Sequence, residues 1–132
     1  MMTENIQALV TYRLEQADES LVAARTLLDK KLVRPSVNRA YYAMFYAVLA
    51  LLARGKKETS KHSGAIALFD RDFVKEGIFK KDFSRCLHDA FELRQRSDYA
   101  AEYHVSGEEA EKTFKDAESF VDEVKKVLSK EM

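Results

Sequence analysis

Apolar side chains return every third or fourth position at Ile6, Val10, Leu14, Ala17, Leu21, Ala24 and Leu28. That spacing draws a single stripe along a long helix, facing a core or a partner. Lys30, Lys31 and Arg34 follow where cations suit the negative end of a helix, and Pro35, with no amide hydrogen, opens the next one. From Ser36 to Arg54 the residues Val37, Ala40, Tyr41, Ala43, Met44, Phe45, Ala47, Val48, Leu49, Leu51 and Leu52 leave almost no polar face. This predicts a central helix, ended by Gly55, with a basic linker over residues 56–61 behind it. A short helix is predicted from Ser63 to Lys75, with Ile66, Phe69 and Phe73 inward. A fourth is predicted from Lys81 to Arg96, with Phe83, Leu87, Ala90, Phe91 and Leu93 inward and Arg85, His88 and Arg94 more exposed. A polar, tyrosine-containing stretch covers Ser97 to Val105. Ser106 and Glu109 then have the spacing of a capping box, in which each side chain satisfies the other's backbone N–H. The last helix carries Ala110, Phe114, Ala117, Val121, Val124 and Leu128 on one stripe. Its acid-before-base pairs at i, i+4 are Glu108 with Lys112, Glu111 with Lys115 and Asp122 with Lys126. No run alternates with period two, so the predicted fold class is all-α, an up-and-down helical bundle of four long helices plus one short helix.

The 132 residues, 46% hydrophobic and 33% charged, suit one core, and residues 1–132 are read as a single domain. Cys86 is the only cysteine; it cannot form an internal disulfide, fits a reducing cytoplasm and reads as an inert core thiol. No basic stretch, apolar run and small-residue cleavage site occur together at the N-terminus. The longest apolar stretch, Ala40 to Ala53, is interrupted by tyrosines and too short to span a bilayer, so no membrane association is expected. Twenty-two basic residues balance 22 acidic ones, and no long-range field holds the chain on a nucleic acid. Residues 54–96 nevertheless carry 11 Lys and Arg against 7 Asp and Glu, and residues 106–132 carry 5 against 8. The middle of the chain is either a basic patch or an ordinary mixed-charge face.

The chemistry available is narrow. His62, His88 and His104 are scattered, with no pair at metal-ligand spacing, and no Glu-x-x-His occurs, so neither a metal nor a cofactor is expected. Gly-rich phosphate loops and nucleophile elbows are missing as well. What stands out is the segment from Arg94 to His104, with Arg94, Arg96, Asp98, Tyr99, Tyr103 and His104 around a helix end. Metal-free RNA cleavage needs few residues: the ribose 2′-OH is the nucleophile, a histidine moves the proton and an arginine stabilises the phosphorane charge. The catalytic candidates are therefore Arg94, Arg96 and His104. Equally, Arg94 or Arg96 paired with Asp98 and a packed tyrosine would make a structural clasp. On the central helix Asn38, Tyr41, Tyr42 and Phe45 share one face at i, i+3, i+4 and i+7, and the fourth helix could satisfy Asn38 through Arg94 and Asp98. Lys61 and His62 open the short helix, either as plain surface residues or as phosphate contacts.

Three blocks in this order, Ser36 to Phe45 (with Asn38, Arg39, Ala40, Tyr41, Tyr42), Lys61 to Gly64, and Phe91 to Tyr99, resemble the HEPN domain family (higher eukaryotes and prokaryotes nucleotide-binding) over most of the chain. The resemblance implies a helical bundle that forms homodimers, commonly encoded beside a minimal nucleotidyltransferase in prokaryotic toxin and antitoxin pairs. Catalytic members are metal-independent ribonucleases whose signature is Arg, four to six residues, then His. The family arginine falls on Arg94 and Gln95 fits the polar position after it. Asp98 and Tyr99 occupy the region where the histidine belongs, and His104 follows Arg94 only after nine intervening residues and Arg96 after seven. The motif is not intact, which leaves open both a ribonuclease and a non-catalytic binding or adaptor module that docks the transferase. RNA or nucleotide contacts are expected from Asn38, Tyr42, Lys61, His62, Asp98 and Tyr99. Tyr99 or Tyr103 is a candidate for the tyrosine to which some partner transferases add AMP.

Overall fold

The computed structural model describes residues 4–59, 61–99, 101 and 103–130. Among these residues five α-helices follow one another: α1 (Glu4–Asp29), α2 (Val33–Arg54), α3 (His62–Phe69), α4 (Lys81–Tyr99) and α5 (Gly107–Lys130). The all-α bundle of four long helices and one short one is as the periodicity predicts. α2 is its axis: thirteen of its 22 residues are buried, and it packs against each of the other four helices.

The α1–α2 seam is the most extensive contact because both faces are lined by small side chains, Ala17, Ser20 and Ala24 against Ser36, Ala40 and Ala43, all buried. Close approach puts a hydroxyl within reach of the facing backbone, and Ser36 Oγ donates to the Ala24 carbonyl at 2.8 Å. A second core region is purely aromatic. Phe69, Phe73, Phe79, Phe83 and Phe120 pack with ring centroids 5.1–6.4 Å apart, sealing α3, α4 and α5 at the end of the bundle remote from Arg94.

The helix boundaries have identifiable causes. α2 ends at Gly55, as expected; Gly55 itself has φ −84°, and Lys56, at φ 59°, takes the left-handed position after it. The Lys57 N–H reaches the Leu52 carbonyl at 2.8 Å and the Lys56 N–H the Ala53 carbonyl at 3.0 Å, a Schellman closure. Lys31, at φ 63°, closes α1 in the same way through Leu32 to Leu27 and Lys31 to Leu28. The short helix begins at His62, next to the expected Ser63, and gives way to a π turn over Asp70–Val74. Asp70 in that turn accepts hydrogen bonds from Ser84 Oγ and His88 Nε2, each at 2.7 Å, which ties the turn to α4.

α4 continues past Arg96 to Tyr99, because Ser97 is buried in the last turn with its hydroxyl on the Arg94 carbonyl at 3.0 Å. Of the expected α5 ion pairs, Asp122–Lys126 forms at 3.2 Å. Lys112 instead pairs with Asp116 at 2.8 Å, and Glu111 turns across the seam to Arg25 at 3.0 Å. The capping box is present: the Glu109 N–H donates to Ser106 Oγ and the Ser106 N–H to Glu109 Oε1, both at 3.0 Å. No helix among the described residues is long and apolar enough to cross a membrane.

Candidate functional site

The site is built on one face of α2. Tyr41 is completely buried, with Tyr42 half-buried beside it and Phe45 one turn on. α3 delivers His62 onto these rings. Its imidazole stacks on Phe45 with centroids 4.2 Å apart and stands 5.5 Å from the rings of both Tyr41 and Tyr42. The local sequence explains the placement: a Cβ at Gly64 would come within 2.8 Å of Thr59 Oγ1, so glycine lets the chain fold back tightly as the helix begins. The Tyr41 hydroxyl lies 2.7 Å from His62 Nδ1, and Phe91 of α4 closes the cluster 5.6 Å from Tyr41.

Arg94 enters from α4. Its guanidinium lies 5.3 Å from the Tyr42 ring centre and 5.7 Å from that of Tyr41, where the negative faces of the rings attract a cation. Contrary to the exposure expected from the helical pattern, the Arg94 side chain is only 15% exposed. Extension of α4 by one turn supplies its counter-ion: Asp98 Oδ2 is 3.2 Å from Arg94 Nε, yet the angle is poor and Nε remains buried without a hydrogen bond. On the other side of the cluster Arg39 stands 4.8 Å from the Tyr42 ring, so two guanidinium groups share one tyrosine. Asn38 is not satisfied by Arg94 or Asp98; its Oδ1 accepts from Arg39 at 3.1 and 3.3 Å. It does share with Asp98, Arg34 and Arg39 an open depression beside the cluster.

The electrostatics follow from this packing. Burial and the neighbouring Arg94 charge push the His62 imidazole below its ordinary value, favouring the neutral ring. Burial drives the Tyr41 phenol well up, so it stays an O–H.

Arg96 takes another course. Two residues along a helix turn a side chain by about 200°, and Arg96 faces Tyr103, 6.0 Å from its ring. It lines a groove of about 260 Å³ between α4 and α5 with Cys86, Asp89, Glu109, Lys112 and Asp116. Tyr103 donates to Glu109 Oε2 at 2.9 Å; this bond raises the phenol, and with the Ser106 N–H it lowers the Glu109 carboxyl. Cys86 is half-buried, and desolvation keeps its thiol protonated.

The structure thus gathers Asn38, Tyr42, His62, Arg94 and Asp98 at one end. Lys61 is exposed next to them, and Tyr99 is 78% exposed at the end of α4. Arg96 and Tyr103 lie on another face, and His104 is exposed with no hydrogen bond or ion pair to Arg94 among the described residues. Ala100 and Glu102, within the segment read as a possible site, lie outside the described residues. Arg39, Tyr41 and Phe91 were not among the expected site residues. The signal for Tyr41 was its place in the row from Asn38 to Phe45, since a phenol facing the core needs a polar partner.

A family model for the HEPN domain matches residues 10–127, and the chain belongs to the HEPN family. Among its relatives, a Methanocaldococcus jannaschii protein named "Putative toxin MJ0605" is 41% identical over 125 residues, covering 95% of this chain and 90% of that one. A "UPF0332 protein" of Thermotoga maritima is 35% identical, covering 92% of each chain. A second Methanocaldococcus jannaschii protein, "Putative toxin MJ0142", is 33% identical over 87% of this chain and 78% of its own.

Proposed function

We propose that this chain is a dimeric, toxin-like HEPN protein of a toxin-antitoxin type system that binds RNA or a nucleotide at the Arg94 cluster and works with a minimal nucleotidyltransferase partner. The family and the names of its relatives support the toxin-like part. The observation that carries the binding is the convergence of Arg94, Arg39 and His62 on Tyr42. Guanidinium groups with aromatic faces are the combination that takes phosphates and stacked bases together. If the protein cleaves, the 2′-OH attacks phosphorus, the 5′-oxygen leaves, Arg94 stabilises the phosphorane and a histidine moves the proton.

The test is incubation of the purified protein, free of partner and of tyrosine modification, with labelled tRNA and mRNA in EDTA. Arg94→Ala, Arg96→Ala, His62→Ala and His104→Ala run beside it. Cutting in chelator that is lost in Arg94→Ala and in one histidine variant establishes a nuclease and names its histidine. Undiminished cutting by Arg94→Ala sinks the assignment.

A second reading, a non-catalytic HEPN module that docks the nucleotidyltransferase, is favoured by one specific fact. Arg94 is already engaged by Asp98 and two rings, and among the described residues His104 makes no hydrogen bond or ion pair with it. On this reading Arg94→Ala lowers stability and no RNA is cut. Of the two tyrosines proposed for modification, Tyr99 presents an exposed ring, while Tyr103 must first give up its bond to Glu109.

A further inference from the structure

The hydrogen bond between Tyr41 and His62 fixes more than a contact. Tyr41 is completely buried, and His62 Nδ1 is the partner its hydroxyl reaches among the described residues. Were Nδ1 to carry the proton and donate to the phenol oxygen, the phenolic hydrogen would be left in the core with no acceptor, at a cost comparable to a lost buried hydrogen bond. The phenol therefore donates and Nδ1 accepts, and a neutral imidazole in that state holds its proton on Nε2. Nε2 has no hydrogen-bond partner among the described residues, and His62 as a whole is half-buried, not enclosed. Phe45 stacked on the ring and Tyr41 behind it hold its orientation.

Arg94 is arranged in the same manner. Its side chain is only 15% exposed, with Nε buried 3.2 Å from Asp98 Oδ2, while its two terminal nitrogens have no hydrogen-bond partner among the described residues. Both groups stand between 5.3 and 5.7 Å from the centres of the same two rings, Tyr41 and Tyr42. The cluster thus presents a neutral N–H donor and a guanidinium together, with no carboxylate among its stacked rings and Asp98 held against the arginine stem. An acceptor-rich anion satisfies such a pair, and a hydroxyl that must lose its proton does not.

We propose that His62 is a phosphate-binding donor, its tautomer set by Tyr41, which holds a nucleotide phosphate ester jointly with Arg94. This rests on the RNA or nucleotide reading above and deepens it: His62 binds through Nε2–H and is not the general base that would activate a 2′-OH. Tyr41 is a positioning residue that acts through His62.

The experiment is nitrogen-detected NMR of the histidine side chains in the intact protein, followed by titration with AMP and, separately, with a short single-stranded RNA. The expected result is an Nε2–H tautomer for His62 in the free protein, with the Nε2 resonance shifting as ligand saturates. Saturation by AMP alone assigns a phosphomonoester, and by the RNA alone a phosphodiester. His62→Ala should weaken binding about tenfold, and His62→Gln, whose amide N–H stands near the Nε2 position, should recover most of it. Tyr41→Phe should yield a tautomer mixture and an intermediate affinity. An Nδ1–H tautomer overturns the inference without recourse to any variant. Equal affinity of wild type and His62→Ala, with Arg94→Lys weakened, overturns the role of His62 and leaves the Arg94 site standing. Failure of the wild type to bind either probe overturns the site itself.

Discussion

Arg94 and Arg96 differ by two positions on α4, and that rotation separates a packed, largely buried environment from an exposed one. Arg94 lies against two tyrosine rings beside a buried hydroxyl and a half-buried imidazole; Arg96 lies over one tyrosine in an open groove where Asp89, Glu92, Glu109 and Asp116 outnumber Arg96 and Lys112. A charge kept from water must be held by geometry, whereas a charge left in water is screened and held by little. Arg94 is the arginine whose environment is costly to build: its side chain is 15% exposed and its buried Nε has no hydrogen bond among the described residues, whereas Arg96 is exposed.

The sharpest way to break this contrast is to truncate each arginine. Arg94→Ala should destabilise by about 2 kcal/mol, through lost packing on Tyr41 and Tyr42 and the lost pairing with Asp98, while Arg96→Ala leaves the denaturation midpoint near wild type. Equal losses in urea melts would erase the distinction. A double-mutant cycle of Arg94→Ala with Asp98→Ala should then return a coupling of about 1 kcal/mol; additivity would mean that the 3.2 Å approach contributes nothing. On the wet side, Tyr103→Phe should cost about 0.5 kcal/mol or less, as its bond to Glu109 is solvent-accessible, and calorimetry can resolve it.

The smallest effects are in pH, and they separate the two regions by window. His62 has its folded value lowered from 6.5, so the unfolded chain takes up the proton first. Its contribution is complete above that pH and declines as pH falls through the lowered value. Glu109 is lowered from 4.5 and has the same sign in a lower window, with stability present above 4.5 and lost below it. A Tm profile from pH 8 to 3 should therefore show two declines, the upper one absent in His62→Gln and the lower one reduced in Glu109→Gln. A single decline below 4.5 in the wild type would show that His62 is not held neutral.

The helices were legible because burial imposes its period directly on side-chain choice, and the capping box because two residues suffice to write it. The site was legible only in pieces. Asn38, Tyr42, His62, Arg94 and Asp98 were marked as chemistry-bearing, but their meeting depends on where α3 and α4 cross α2, and no local spacing encodes a crossing. The last turn of α4 is hidden in the sequence because Ser97, Asp98 and Tyr99 are polar by type, whereas Ser97 is buried. That single turn decides whether Asp98 faces Arg94. His104 drew attention through nearness in sequence, while His62, thirty-two positions before Arg94, is the histidine whose imidazole feels its charge. The left-handed Lys31 and Lys56 were hidden because glycine, the residue usually placed there, stands one position too early at Gly55 and is missing near Lys31.

The tyrosines of α2 have one more consequence. The chain has six tyrosines and no tryptophan, and two of the six are locked in asymmetric contact with each other, with His62 and with Arg94. Rings fixed in such surroundings dominate near-ultraviolet dichroism, which vanishes when packing loosens. The protein therefore carries an intrinsic optical reporter at this end: a molecule that settles among these rings alters the spectrum of the unlabelled chain, and one that binds elsewhere leaves it nearly unchanged.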